Sequence, residues 1–265
     1  MKSALSSTLS ILLLTAGAGL PASPALAQQS AVAPAASLNE AETLLLNMAD
    51  TLGRADRFHV HIRTGYDAVQ PSGQKVEFLE ARDVLVKRPD KLRIETRDSR
   101  GVKSRLLFDG KTISVATEGE NVYGQADKQG SIDDAVRYFR RDLGMRLPLA
   151  GMLLTTLRQE LEQRMDSADY VETATLCDGK YHHIAARGED LDMQVWISTK
   201  GPALPKRVVL TYKHADGQPQ FWAEFSDWDL SPWSSNSKFD FDAPKGARKI
   251  PFLPQLNSIT PAVPQ

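Results

Sequence analysis

The sequence predicts an α+β fold, mainly β: a strongly curved antiparallel sheet, a half-barrel, with about three helices packed on its concave side. Three observations predict it. Apolar and polar residues alternate in many short runs between Phe58 and Trp228, the period of a half-buried strand. Asp109-Gly110, Asp178-Gly179 and Asp216-Gly217 separate such runs, and hairpins favour this pair because both turn positions need φ > 0. Helical spacing is confined to segments early and in the middle of the chain, so those helices must bury their apolar stripes on the sheet.

Residues 1–27 read as a signal peptide outside the fold. Lys2 supplies the positive start, Leu9 to Leu14 the apolar run, and Ala25-Leu26-Ala27 the cleavage site. The run is too short for a membrane span of ~20 residues. No cysteine near the site allows lipid attachment there, so export of a soluble chain beginning at Gln28 is expected. Residues 28–36 and 251–265 are Ala/Pro/Gln-rich and read as loose ends, leaving 37–250 as one domain. The 32 basic and 33 acidic residues give a net charge of -1, which argues against a nucleic-acid partner. The single cysteine, Cys177, is expected as a small apolar strand residue.

Ser37-Leu38-Asn39-Glu40 reads as a capping box, the serine oxygen serving the N3 amide while Glu40 reaches back. Leu38, Ala41, Leu44, Leu45, Met48 and Leu52 then share a helical face, and Gly53 is expected to close the helix. Phe58, Val60, Ile62, Thr64 and Tyr66 alternate with His59, His61 and Arg63 in a first strand. His59 and His61 share its other face; with no convincing third ligand near in sequence, they read as solvated polar residues and no metal is assigned. Val76 to Val86 forms a second strand, where the apolar phase shifts between Phe78 and Leu79 and predicts a bulge.

Lys87-Arg88-Pro89 turns the chain, because a proline cannot donate to a ladder. Leu92, Ile94 and Thr96, then Leu106 and Phe108, then Ile113 and Val115 continue the meander. Ser131 caps a second helix carrying Ile132, Ala135, Val136, Phe139 and Leu143, ended by Gly144. Leu147 to Leu154 is apolar nearly all round and leads into a helix towards Met165. It reads either as a buried helix start or as a lid over an apolar cavity. Thr173 to Ala186, Leu191 to Ile197 and Arg207 to Trp228 return to strands. Trp222, Trp228 and Trp233 suit core or rim packing better than sugar stacking.

Two stretches carry a resemblance. Asp83, Val86-Lys87-Arg88-Pro89 and Phe108-Asp109-Gly110-Lys111-Thr112 resemble the periplasmic lipoprotein-carrier family, LolA, LolB and relatives, and most closely its branch of predicted periplasmic proteins. Phe239 to Ala247 is similar to the F-x-F-x-x-P-x-G-A element that closes the carriers. The resemblance implies the same half-barrel fold, with an apolar space between sheet and helices.

Phe58, Val60, Ile62, Leu92, Ile94, Phe108, Val195 and Ile197 are then expected to face that space, with Arg88, Leu149, Met152 and Leu153 in the lid. In the carriers the arginine matching Arg88 hydrogen-bonds carbonyls of the covering helices and helps the lid open and close. The alternative is an exposed corner arginine paired with Asp90. No nucleophile-elbow, zinc-protease or phosphate-loop motif is present, and no cofactor is implied. The expectation is a non-enzymatic, monomeric binding protein of the periplasm that holds a lipid or acylated protein for transport. The alternative is an envelope-stress sensor or interaction module contacting a protein partner in the inner or outer membrane.

Overall fold

The sheet begins beneath a single long helix. The computed structural model describes residues 38–145 and 147–252. The proposed signal peptide, residues 28–36, Ser37 and most of the C-terminal tail lie outside them. Helix α1 (Glu40–Arg54) is capped by Asn39, not Ser37. Asn39 Oδ1 accepts from the Glu42 amide, and Glu42 Oε2 accepts from the Asn39 amide, both at 2.8 Å. The run S-L-N-E-A-E offers two overlapping boxes, and the second one forms. Leu38 is therefore outside the helix and 51% exposed, while Ala41, Leu45, Leu46, Met48, Ala49 and Leu52 are buried. Each fully buried leucine contributes ~1.5–3 kcal/mol. Gly53 does not stop the helix. It lies in the last turn, where a Cβ would stand 2.9 Å from the Thr155 carbonyl oxygen, so glycine there permits close approach.

The strands are β1 (Arg57–Val69), β2 (Lys75–Lys87), β3 (Lys91–Asp98), β4 (Lys103–Phe108), β5 (Thr112–Thr117) and β6 (Val122–Asp127). After the helical insertion come β7 (Ser167–Leu176), β8 (Gly179–Arg187), β9 (Leu191–Ser198), β10 (Pro205–Tyr212), β11 (Gln220–Asp229) and β12 (Arg248–Lys249). They form one open 12-stranded sheet in the order β12-β6-β5-β4-β3-β2-β1-β11-β10-β9-β8-β7. Every pair is antiparallel except the short β12 on β6. Both meanders are built from neighbours in sequence, and β1 pairing with β11 joins the two halves.

The bulge expected in β2 is absent: its register on β1 runs unbroken from Lys75 to Lys87. Phe78 and Leu79 simply face opposite sides of an exposed hairpin end. Register shifts lie instead between β1 and β11 at His59/His61, between β10 and β9 at Pro205/Arg207, and between β7 and β8 at Tyr170/Glu172. Cys177 is exposed in the turn after β7 and is not the apolar strand residue expected.

The middle insertion is shorter in helix than the pattern suggests. Ser131 caps α2 (Ile132–Arg137), which continues as one π-helical turn, Tyr138–Asp142. Leu147 to Leu154 is not the start of a helix. It is a turn with Leu149 in the left-handed region, φ 67°, followed by the 3₁₀ turn Ala150–Leu153. Helix α3 (Leu157–Arg164) follows. Helix α1 packs on β7 and β9, and α1, α2 and α3 all touch the 3₁₀ turn. The 3₁₀ turn Asn236–Phe239 crosses the opposite face: Lys87 Nζ donates to Asn236 Oδ1 at 2.7 Å and Arg93 Nη1 to the Lys238 carbonyl at 3.0 Å. Leu85 and Leu107 alternate away from the concave core, yet both are buried.

A candidate binding cavity beneath the helical cover

Strand alternation and an unbroken antiparallel register stack the inward residues of β1 to β5 in rows. The first row is Phe58–Val86–Leu92–Phe108–Ile113 and the second Val60–Val84–Ile94–Leu106–Val115. The third is Ile62–Arg82–Thr96–Ser104–Thr117, and beyond it Thr64, Glu80 and Asp98 stand side by side. The concave face thus passes from wholly apolar to polar along the strands.

A cavity with about 130 Å³ of room for the centres of water-sized spheres lies between these rows and the cover and opens to solvent. Its floor includes Phe58, Val60, Ile62, Leu92 and Ile94, with Arg82, Thr96 and Ser104 at its polar end. Leu147, Pro148, Leu149, Ala150, Met152 and Leu153 form its cover, and Phe225 and Trp228 a side wall. Trp228 packs on Phe58 and Phe225 with ring centroids 5.8 and 5.7 Å apart.

Phe108, Val195 and Ile197 do not line the cavity. All three are fully buried in the packed core. For β9 the reason is that α1 lies against it, which fills the space its inward residues would otherwise face. Leu52 of α1 and Ala135, Val136 and Phe139 of the helical insertion line the cavity, and sequence alone did not place them there.

Arg88 is not an exposed corner residue. Its side chain is 9% exposed, and Asp90 pairs with Lys91 instead. The guanidinium donates from Nη1 to the Leu153 carbonyl at 2.7 Å and from Nε to the Ala55 carbonyl at 3.0 Å. A third bond runs from Nη2 to the Leu52 carbonyl at 3.4 Å. One fork therefore serves carbonyls at the C-terminal end of α1 and in the cover, groups a helix end leaves without partners. Asp133 of α2 stands 3.9 Å from Nη1 and is itself buried. It accepts from the Thr155 hydroxyl at 2.6 Å and the Thr155 amide at 3.1 Å. Burial lowers the Arg88 pKa from the ordinary arginine value, and the carboxylates of Asp133 and Asp56 oppose that shift. The corner before Pro89, the C-terminal end of the cover and helices α1 and α2 meet at this pair.

A family model described as "Predicted periplasmic protein (DUF2092)" matches residues 41–253. The chain belongs to this family. Its location is accordingly periplasmic. The DUF2092 chain is similar to the solved structure of LprF from Mycobacterium bovis at 13% identity, covering 80% of this chain and 100% of that one, TM-score 0.48. It is similar to the Mycobacterium tuberculosis lipoprotein LppX at 15% identity, covering 73% and 97%, TM-score 0.46. A LolA superfamily protein from Nitrosomonas europaea matches at 12% identity over 76% and 97%, TM-score 0.39. No curated protein sequence matches significantly.

On the opposite face, His59 and His61 have a third neighbour that sequence spacing hid. Asp83 takes His59 Nε2 at 2.8 Å and His61 Nδ1 at 2.7 Å, one on each carboxylate oxygen. The strand register places it directly across from His61. Each group already has a partner in this network. The tryptophans do not act as a set. Trp228 lines the cavity, Trp222 stacks under the Arg207 guanidinium at 5.3 Å on the outer side, and Trp233 is 87% exposed.

Proposed function

We propose that this protein is a non-enzymatic periplasmic carrier that holds a lipid or the acyl chain of a lipoprotein for transport. The observation that carries the reading is the cavity itself: apolar rows below, an apolar segment from Leu147 to Leu153 above, and Arg88 joining the two. An acyl chain crossing water gains ~0.8 kcal/mol for each buried CH₂, so such a space favours one strongly. Five of the eight residues expected to face the ligand, Phe58, Val60, Ile62, Leu92 and Ile94, are on its floor, and Leu149, Met152 and Leu153 are in its cover. Export through residues 1–27 and a domain over 37–250 belong to the same proposal. Native mass spectrometry of protein purified from its own periplasm tests it. A bound mass that organic extraction identifies as lipid supports carriage, and a stoichiometric protein partner without lipid favours a sensor.

A further inference from the structure

The cavity has a chemical direction. In the third row Arg82 places a guanidinium on the inward face of a sheet, where an unpaired charge is costly. Its partner is Glu80, but both bonds go to one oxygen: Nε to Oε2 at 3.3 Å and Nη2 to Oε2 at 2.8 Å. Among the described residues Nη1 has no hydrogen-bond partner, so part of a five-donor fork is unused. Thr96 and Ser104 extend the same row across β3 and β4. In the next row the Thr64 hydroxyl is buried with no partner among the described residues.

The polarity is one-sided. Across β1 in the other direction the same rows continue with Phe225 beside Ile62, and with Ala223, Val208 and Val195 beyond Thr64. Among the described residues the side-chain donors of these rows, Arg82, Thr96 and Ser104 with Thr64 beside them, stand on the β1 to β4 side, away from β9 to β11. We infer that Arg82 receives the anionic head, a carboxylate or phosphate, of a lipid whose chain lies towards Phe58 and Leu92. This rests on the carrier reading of the same cavity. A guanidinium fork matches either anion bidentately, whereas a hydroxyl head gains only neutral bonds. Glu80 opposes the anion by holding part of the fork, so the two residues set the strength of head recognition with opposite signs.

The test compares palmitate with hexadecanol, which share a chain and differ in the head. Wild-type protein is expected to bind palmitate roughly ten- to hundred-fold more tightly, the size of a charge-assisted hydrogen bond. In Arg82→Met the ratio of the two affinities should fall to about one. In Glu80→Gln it should rise, and this second variant decides the matter where Arg82→Met fails to fold. Palmitoyl lysophosphatidate should retain the preference over hexadecanol, while millimolar inorganic phosphate should leave palmitate bound. A wild-type ratio near one, a preference surviving Arg82→Met, or displacement by inorganic phosphate overturns the assignment of Arg82 while leaving the carrier reading standing. Failure of both palmitate and hexadecanol to bind the folded wild type overturns both.

Discussion

The Arg88 guanidinium donates to the Leu153 carbonyl at 2.7 Å, so the corner between β2 and β3 holds the cavity cover directly. Arg88→Leu removes three bonds to carbonyls and leaves Asp133 without its cation. The sheet should persist with a loss of about 3–5 kcal/mol, the cost of removing one partner of a buried ion pair. Amide exchange in residues 147–154 should speed up roughly ten-fold, the equivalent of ~1.4 kcal/mol. Hydrogen exchange by mass spectrometry reads this segment, and rates equal to wild type would remove Arg88 from the cover's support.

Asp133 and Thr155 form the second tie. Thr155→Val deletes only the hydroxyl bond at 2.6 Å and should cost ~1 kcal/mol. Asp133→Asn also removes the charge beside Arg88 and should cost more, since both side chains are largely out of water. Urea unfolding of both variants orders the two effects. Equal losses would mean that the charge beside Arg88 contributes nothing.

Much of this fold was legible because its signals are local. The Asp109-Gly110 pair, with Gly110 at φ 85°, marked the β4–β5 turn. Alternation from Phe58 to Tyr66 marked the inward face of β1. Arg88 came from a motif, and its contacts bear on residues 33 to 65 positions away. What was hidden depends on the register between paired strands. Asp83 joins His59 and His61 only through the β1–β2 register, and Arg82 joins Thr96 and Ser104 only through β3 and β4. Leu85 and Leu107 are buried on the outer face, on either side of Arg93, which holds the Lys238 carbonyl of a turn far along the chain. Val195 and Ile197 had the right period, but α1 occupies the space before β9.

Acid should weaken the start of α2. The Ser131 backbone amide, at 2.9 Å, and then its hydroxyl, at 2.7 Å, hold the Asp134 carboxyl below the usual range. A carboxyl with a lowered folded pKa contributes stability above its unfolded value of about 3.9. That contribution is lost as pH falls through the lower folded value. Ser131→Ala should cost ~1 kcal/mol at pH 7, and the difference from wild type should shrink below about pH 4. Denaturant unfolding at both pH values checks it; a constant difference would contradict the linkage.

Ile94 sits on the cavity floor and is only partly buried. Ile94→Trp adds bulk to that space without burying a charge. Affinity for a fatty acid should fall at least about ten-fold, while a destabilisation of ~1–3 kcal/mol from overpacking leaves the protein folded. Circular dichroism confirms the fold before binding is compared. Unchanged affinity in the folded variant would place the chain elsewhere.

Carriage requires the space beneath residues 147–153 to shelter an apolar chain. Titration of the folded wild type with an environment-sensitive fluorescent fatty acid tests it most directly. Saturable binding near one molecule per protein, reversed by added phospholipid, is the predicted result. A linear, unsaturable rise in fluorescence, or saturation that phospholipid cannot reverse, would contradict it.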